Sequence, residues 1–89
     1  MSIAEDVDEI VMALEKEGYK VSVEQRGYTF TLTVSKGDLK AHVLIQGRPT
    51  AVEKLLLNFS DKPGLTVLRC EEPDRVKNCI KKLLEALKG

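Results

Sequence analysis

His42 is the only histidine in this chain, and so the only side chain whose ordinary pKa suits proton transfer near neutral pH. Nucleophilic or acid–base catalysis needs such a base held beside a nucleophile and oriented by a third group. His42 falls on the polar face of a predicted central strand, with Ser22 and Thr31 as its expected lateral neighbours. No carboxylate is expected beside it, because Glu24 lies diagonally at best, so the row reads as a solvated strand face rich in β-favouring threonines. Metal chemistry is no better supplied. Structural zinc usually takes four Cys or His ligands in close pairs, whereas His42, Cys70 and Cys79 are scattered. Glu5, Asp8 and Glu9 could form a carboxylate site, but acids at a helix start are expected there for the dipole alone. The glycines are isolated turn residues with neither a dinucleotide nor a Walker spacing. No catalytic residue, metal, cofactor or small-molecule ligand is therefore expected. Cys70 and Cys79 read as buried reduced thiols, with a bridge between them as the less favoured alternative.

The cations offer a second chemistry. Arg75, Lys77, Lys81, Lys82 and Lys88 make the last predicted helix basic, which suggests nucleic-acid binding as an alternative function. Projected at 100° per residue, Lys77, Lys81 and Lys88 line one shoulder of its apolar face, and Arg75 and Lys82 the other. Asp74, Asn78 and Glu85 occupy the crest between them. That split suits lysine stems covering the edges of a buried stripe better than it suits a continuous phosphate footprint. The helix–three strands–helix order resembles double-stranded RNA-binding domains in outline. However, the Arg26-Gly27 connection is too short for their minor-groove loop, Lys81-Lys82 lies mid-helix, and about twenty residues intervene before the last helix. Membership does not follow.

Residues 19–46 must position whatever function there is. They read as a three-stranded antiparallel meander with two-residue turns at Arg26-Gly27 and Lys36-Gly37. These turns pair Gln25 with Tyr28, Val23 with Phe30 and Val21 with Leu32, then Val34 with Leu39, Leu32 with Ala41, Phe30 with Val43 and Tyr28 with Ile45. One face then carries Val21, Val23, Tyr28, Phe30, Leu32, Val34, Leu39, Ala41, Val43 and Ile45, and the other Lys20, Ser22, Glu24, Thr29, Thr31, Thr33, Lys40, His42 and Leu44. Ser2 and Glu5 form a capping-box pattern opening a helix whose stripe is Ile3, Val7, Ile10, Val11 and Leu14, with Gly18 as its stop. Leu65–Cys70 reads as a strand, and Pro73 as the first position of a C-terminal helix with Val76, Cys79, Ile80, Leu83 and Leu87 inward.

Residues 50–59 are ambiguous. Thr50 and Glu53 repeat the capping-box spacing, and Val52, Leu55, Leu56 and Phe59 fit one helical face, so a short helix is preferred over a strand carrying Leu55, Leu57 and Phe59. Sheet width argues the other way, because two terminal helices of about 10 Å already cover four strands about 4.8 Å apart.

The expectation is one α+β domain over residues 1–89, in the order α-β-β-β-(α)-β-α. Its antiparallel sheet has four strands (five if residues 51–59 are extended), with the terminal helices on one face. Eighty-nine residues, 43% hydrophobic and 31% charged, suit a single soluble domain, and no apolar run reaches the roughly 20 residues of a membrane span. The acidic start lacks the signal-peptide pattern, so the cytoplasm is the expected location. Few Asn and Gln beside many Lys and Glu suit a hot habitat. Residues 1–17 carry a net charge of −5 and residues 73–89 a net +3, as expected for neighbouring helices of opposite sign. Met12 on the outer crest of the first helix, Leu44 and His42 on the polar strand face, and Leu57 off the middle stripe are the candidate contact residues. They point to a non-enzymatic binding or assembly module whose partner is another protein or a second copy in a homodimer. The open sheet face or a sheet edge would be the contact surface.

Overall fold

A computed structural model describes residues 2–89. Helix α1 (Ile3–Lys16) is followed by β1 (Lys20–Arg26), β2 (Thr29–Lys36), β3 (Leu39–Arg48), β4 (Ala51–Phe59), β5 (Thr66–Arg69) and α2 (Arg75–Lys88). The five strands form one antiparallel meander in sequence order, and both helices pack on the same face. The α+β architecture is as expected, but the segment preferred as a helix is strand β4.

A bulge accounts for its helix-like spacing. Gly47 pairs with Val52, whereas Gln46 pairs with Lys54, so Glu53 is an extra residue on β4. The bulge switches the strand's parity and puts Val52, Leu55 and Leu57 together in the core. An i, i+3 spacing on one face is also what a helix would give. Gly47 is needed there for closeness rather than for φ, since a Cβ on it would overlap the Ala51 carbonyl oxygen and lie 2.8 Å from Glu53 N.

Both glycine turns are displaced by one position from the expected places. Arg26 pairs with Thr29 and Lys36 with Leu39, so the two-residue loops are Gly27-Tyr28 and Gly37-Asp38. With glycine second, a type I′ turn would force Arg26 and Lys36 into positive φ, which long side chains resist. With glycine first, only Gly27 (φ 60°) and Gly37 (φ 59°) need it, and no described non-glycine residue has positive φ. Each pairing moves by two residues, which preserves side-chain faces. Val23 now opposes Leu32, Val21 opposes Val34, and Phe30 opposes Ile45. Phe30 is buried, but Tyr28 leaves the expected core layer for a turn and is 60% exposed.

Five strands make a sheet about 24 Å wide, more than two helices cover. The shortfall falls on β1, where Val23, expected in the core, is 49% exposed. Helix α1 begins as expected, with the Ser2 hydroxyl accepting from Glu5 N–H and the Glu5 carboxylate accepting from Ser2 N–H at 2.9 Å. It ends in a Schellman motif, in which Gly18 N–H donates to Glu15 O and Tyr19 N–H to Leu14 O. Helix α2 starts later than expected, because Asp74 is the N-cap and Pro73 precedes it.

The cysteines also depart from the preferred reading. Cys70 and Cys79 form a disulfide, with Cα atoms 4.8 Å apart, tying the end of β5 to α2. No described helix is long and apolar enough to cross a membrane.

Candidate functional site

The helix-free face of the sheet is a surface that no element covers. Alternation directs Thr31 of β2, Leu44 of β3, Leu56 of β4 and Val67 of β5 to it, and the register sets them in one row: Thr31 opposite Leu44, Leu44 opposite Leu56, Leu56 opposite Val67. Leu44 and Leu56 are half-buried by their neighbours, and Val67 is 51% exposed. A second row runs Ser22, Thr33, His42, Asn58. Thr33 replaces the expected Thr31 beside His42, yet Ser22 stays in the row because the two turn displacements cancel between β1 and β3. His42 Nδ1 lies 3.5 Å from Thr33 Oγ1.

Charge frames the apolar row. The same face carries Lys20, Arg26, Lys40, Arg48, Lys54 and Arg69 against Glu24, six cations and one anion by the strand register, with Arg48 paired to Glu53 of the bulge at 3.0 Å. None of the four aromatic residues of the chain belongs to it. Tyr19 and Phe30 are buried on the helix side, Phe59 packs there opposite Ala41, and Tyr28 sits in a turn. Stacking platforms for bases are therefore missing from this face.

The structure unites two of the four expected contact residues, His42 and Leu44. Leu57 belongs to the core at 1% exposure, because the segment is a strand in which Leu57 opposes Val43 and shares its face. Met12 is exposed on the outer crest of α1, on the opposite side of the molecule. Leu56 and Val67 were missed as site residues. The signal for Leu56 was the strand alternation of residues 54–58, which the preferred helical reading hid; Val67 lies in the expected strand Leu65–Cys70, but only pairing with β4 sets it beside Leu56.

The C-terminal cations are partly engaged. Lys82 Nζ bonds Glu71 Oε1 at 2.6 Å and Arg69 O at 2.8 Å, and Arg75 Nε bonds Glu72 Oε1 at 2.6 Å. Lys77 lies 4.0 Å from Asp74, while Lys81 and Lys88 have no carboxylate partner among the described residues. The hydrogen bond and charge of Lys82 hold the Glu71 carboxyl below its ordinary pKa. A shallow depression at the far end of α2 is lined by Leu39, Phe59, Lys62 and Leu87.

Compared with protein-family models, curated proteins and solved structures, the chain matches none. The surface itself therefore carries the functional reading.

Proposed function

We propose that this chain is a small non-enzymatic binding module that docks a partner protein on the open sheet face. The observation that carries this is the row Leu44–Leu56–Val67, three apolar side chains adjacent across three strands on a face no helix covers. Single exposed apolar residues are ordinary on any protein, but a contiguous group with a polar surround is the usual make-up of a contact surface. The excess of cations around it asks for a partner with an apolar centre and a carboxylate rim, which would also speed encounter. Two copies of this face would set like charges together, so it suits a different protein better than itself.

A photo-crosslinking side chain at position 44 or 56 should trap a partner in the native host, and less of it as salt rises. The same group at position 12, on the opposite side, should trap none. Equal yields from positions 12 and 44 would end the proposal. Trapping of nucleic acid rather than protein at position 44 would replace it with the other class.

A further inference from the structure

The two edges of the sheet differ sharply. β5 is four residues long, α2 reaches its end through the Lys82 ammonium on Arg69 O (2.8 Å), and the next residue is bridged to α2. β1 is seven residues long, and all but Val21 are exposed. The two-residue loop makes Arg26 and Thr29 the hydrogen-bonded pair that closes the first hairpin. Alternate residues Glu24, Ser22 and Lys20 therefore bond β2. Val21, Val23 and Gln25 turn their N–H and C=O groups outward, unpaired within the fold.

An open edge can take an added strand, and the side chains of β1 state which one. We infer that β1 pairs antiparallel with β1 of a second copy, centred on Ser22. In that register Lys20 faces Glu24 of the second copy, and Glu24 faces its Lys20. Val21 faces Val23 of the second copy, and Val23 faces its Val21. The two charge pairs fall at non-hydrogen-bonded positions, where opposed residues approach most closely, and the two valine pairs at hydrogen-bonded ones. Val23, 49% exposed in the monomer, gains an apolar neighbour.

Neighbouring registers lose this match. Centring on Val23 sets Lys20 against Arg26 twice. Centring on Glu24 sets the two Glu24 carboxylates face to face, and centring on Val21 leaves Lys20 opposite Ser22. Centres between residues would pair opposite faces of the sheet. Only the Ser22 centre gives opposite charges and apolar pairs together. A two-fold axis perpendicular to the sheet then makes one continuous ten-stranded sheet from two five-stranded ones. Both open faces lie on the same side of it, so the dimer would present the docking surface twice. The edge pairing does not depend on that surface.

Light scattering and sedimentation from micromolar to millimolar protein are expected to show a concentration-dependent dimer. Lys20→Glu and Glu24→Lys should each weaken it by at least about tenfold, since each turns both attractive pairs repulsive. The double reversal Lys20→Glu/Glu24→Lys should restore it, and an equimolar mixture of the two single variants should form a heterodimer. Amide exchange at Val21 and Val23 should slow as the dimer forms. All four residues are half-buried or exposed on an edge, so the variants should fold. Leu44→Glu should leave the dimer intact. A protein that stays monomeric throughout, or a dimer that survives both single reversals, would overturn the inference. A dimer lost with Leu44→Glu alone would place the contact on the open face instead.

Discussion

Removing the Asp6 carboxylate should test whether α1 is anchored to the sheet by one buried polar contact. Asp6 is 4% exposed, and its Oδ2 accepts the Val52 N–H at 3.0 Å, across 46 positions of sequence. Val52 borders the bulge, so its N–H is a donor that the irregular ladder leaves to a side chain. Asp6→Ala would leave that buried donor unpaired and remove a charge-assisted bond, for a cost of about 2–4 kcal/mol. A domain of this size has a total stability of about 5–13 kcal/mol, so the loss would be large. The melting temperature should fall by about 10–25 °C. Asp6→Asn keeps an acceptor oxygen in place and should cost less than half as much. Asp8→Ala, an exposed acid on the same helix, should stay within about 0.5 kcal/mol of the parent. Urea unfolding followed by far-UV circular dichroism, with the disulfide intact in every variant, measures all three. If Asp6→Ala and Asp8→Ala unfold at the same urea concentration, the anchoring argument fails.

Cleaving the Cys70–Cys79 bridge, which spans nine positions, should destabilise the chain by about 2–3 kcal/mol on a loop-closure account, measured as the shift in urea midpoint with and without reductant. Gly47→Ala should cost about 2 kcal/mol or more, because its new methyl would meet Ala51 O and the backbone of Val52 and Glu53, which cannot move as a side chain could. An unchanged urea midpoint in that variant would remove the close-approach explanation of the bulge. Lys82→Gln should return the Glu71 carboxyl toward its ordinary pKa in an NMR titration. Because the folded pKa is the lower one, the stability from this pair is present above the unfolded carboxylate range and is lost as pH falls through the folded value. In Lys82→Gln the stability–pH curve should be flatter over that acid interval.

Much of this protein follows from the order of its side chains alone. The stripe of Ile3, Val7, Ile10 and Leu14, the capping pair Ser2 and Glu5, and the stop at Gly18 are local instructions that need no distant partner. The faces of β2 and β3 were equally legible, because alternation survives a turn displaced by one position. That displacement moves the ladder by two residues and leaves each side chain on its face. The turn placement itself was not legible. It depended on which neighbour of each glycine would have to adopt positive φ.

Only the tertiary structure decided the rest. Residues 51–59 became a strand because the third strand offered an unpaired edge, and a single extra residue at Glu53 brought Val52 onto the face of Leu55 and Leu57. The bond from Asp6 to Val52, the clasp of Lys82 on Glu71, and the joining of Cys70 to Cys79 each unite separate elements. No local pattern encodes such meetings. The row of Leu44, Leu56 and Val67 exists for the same reason, since each residue comes from a different strand and only the register makes them neighbours. Periodicity assigns a side chain to a face, whereas the folded packing of whole elements determines what stands beside it.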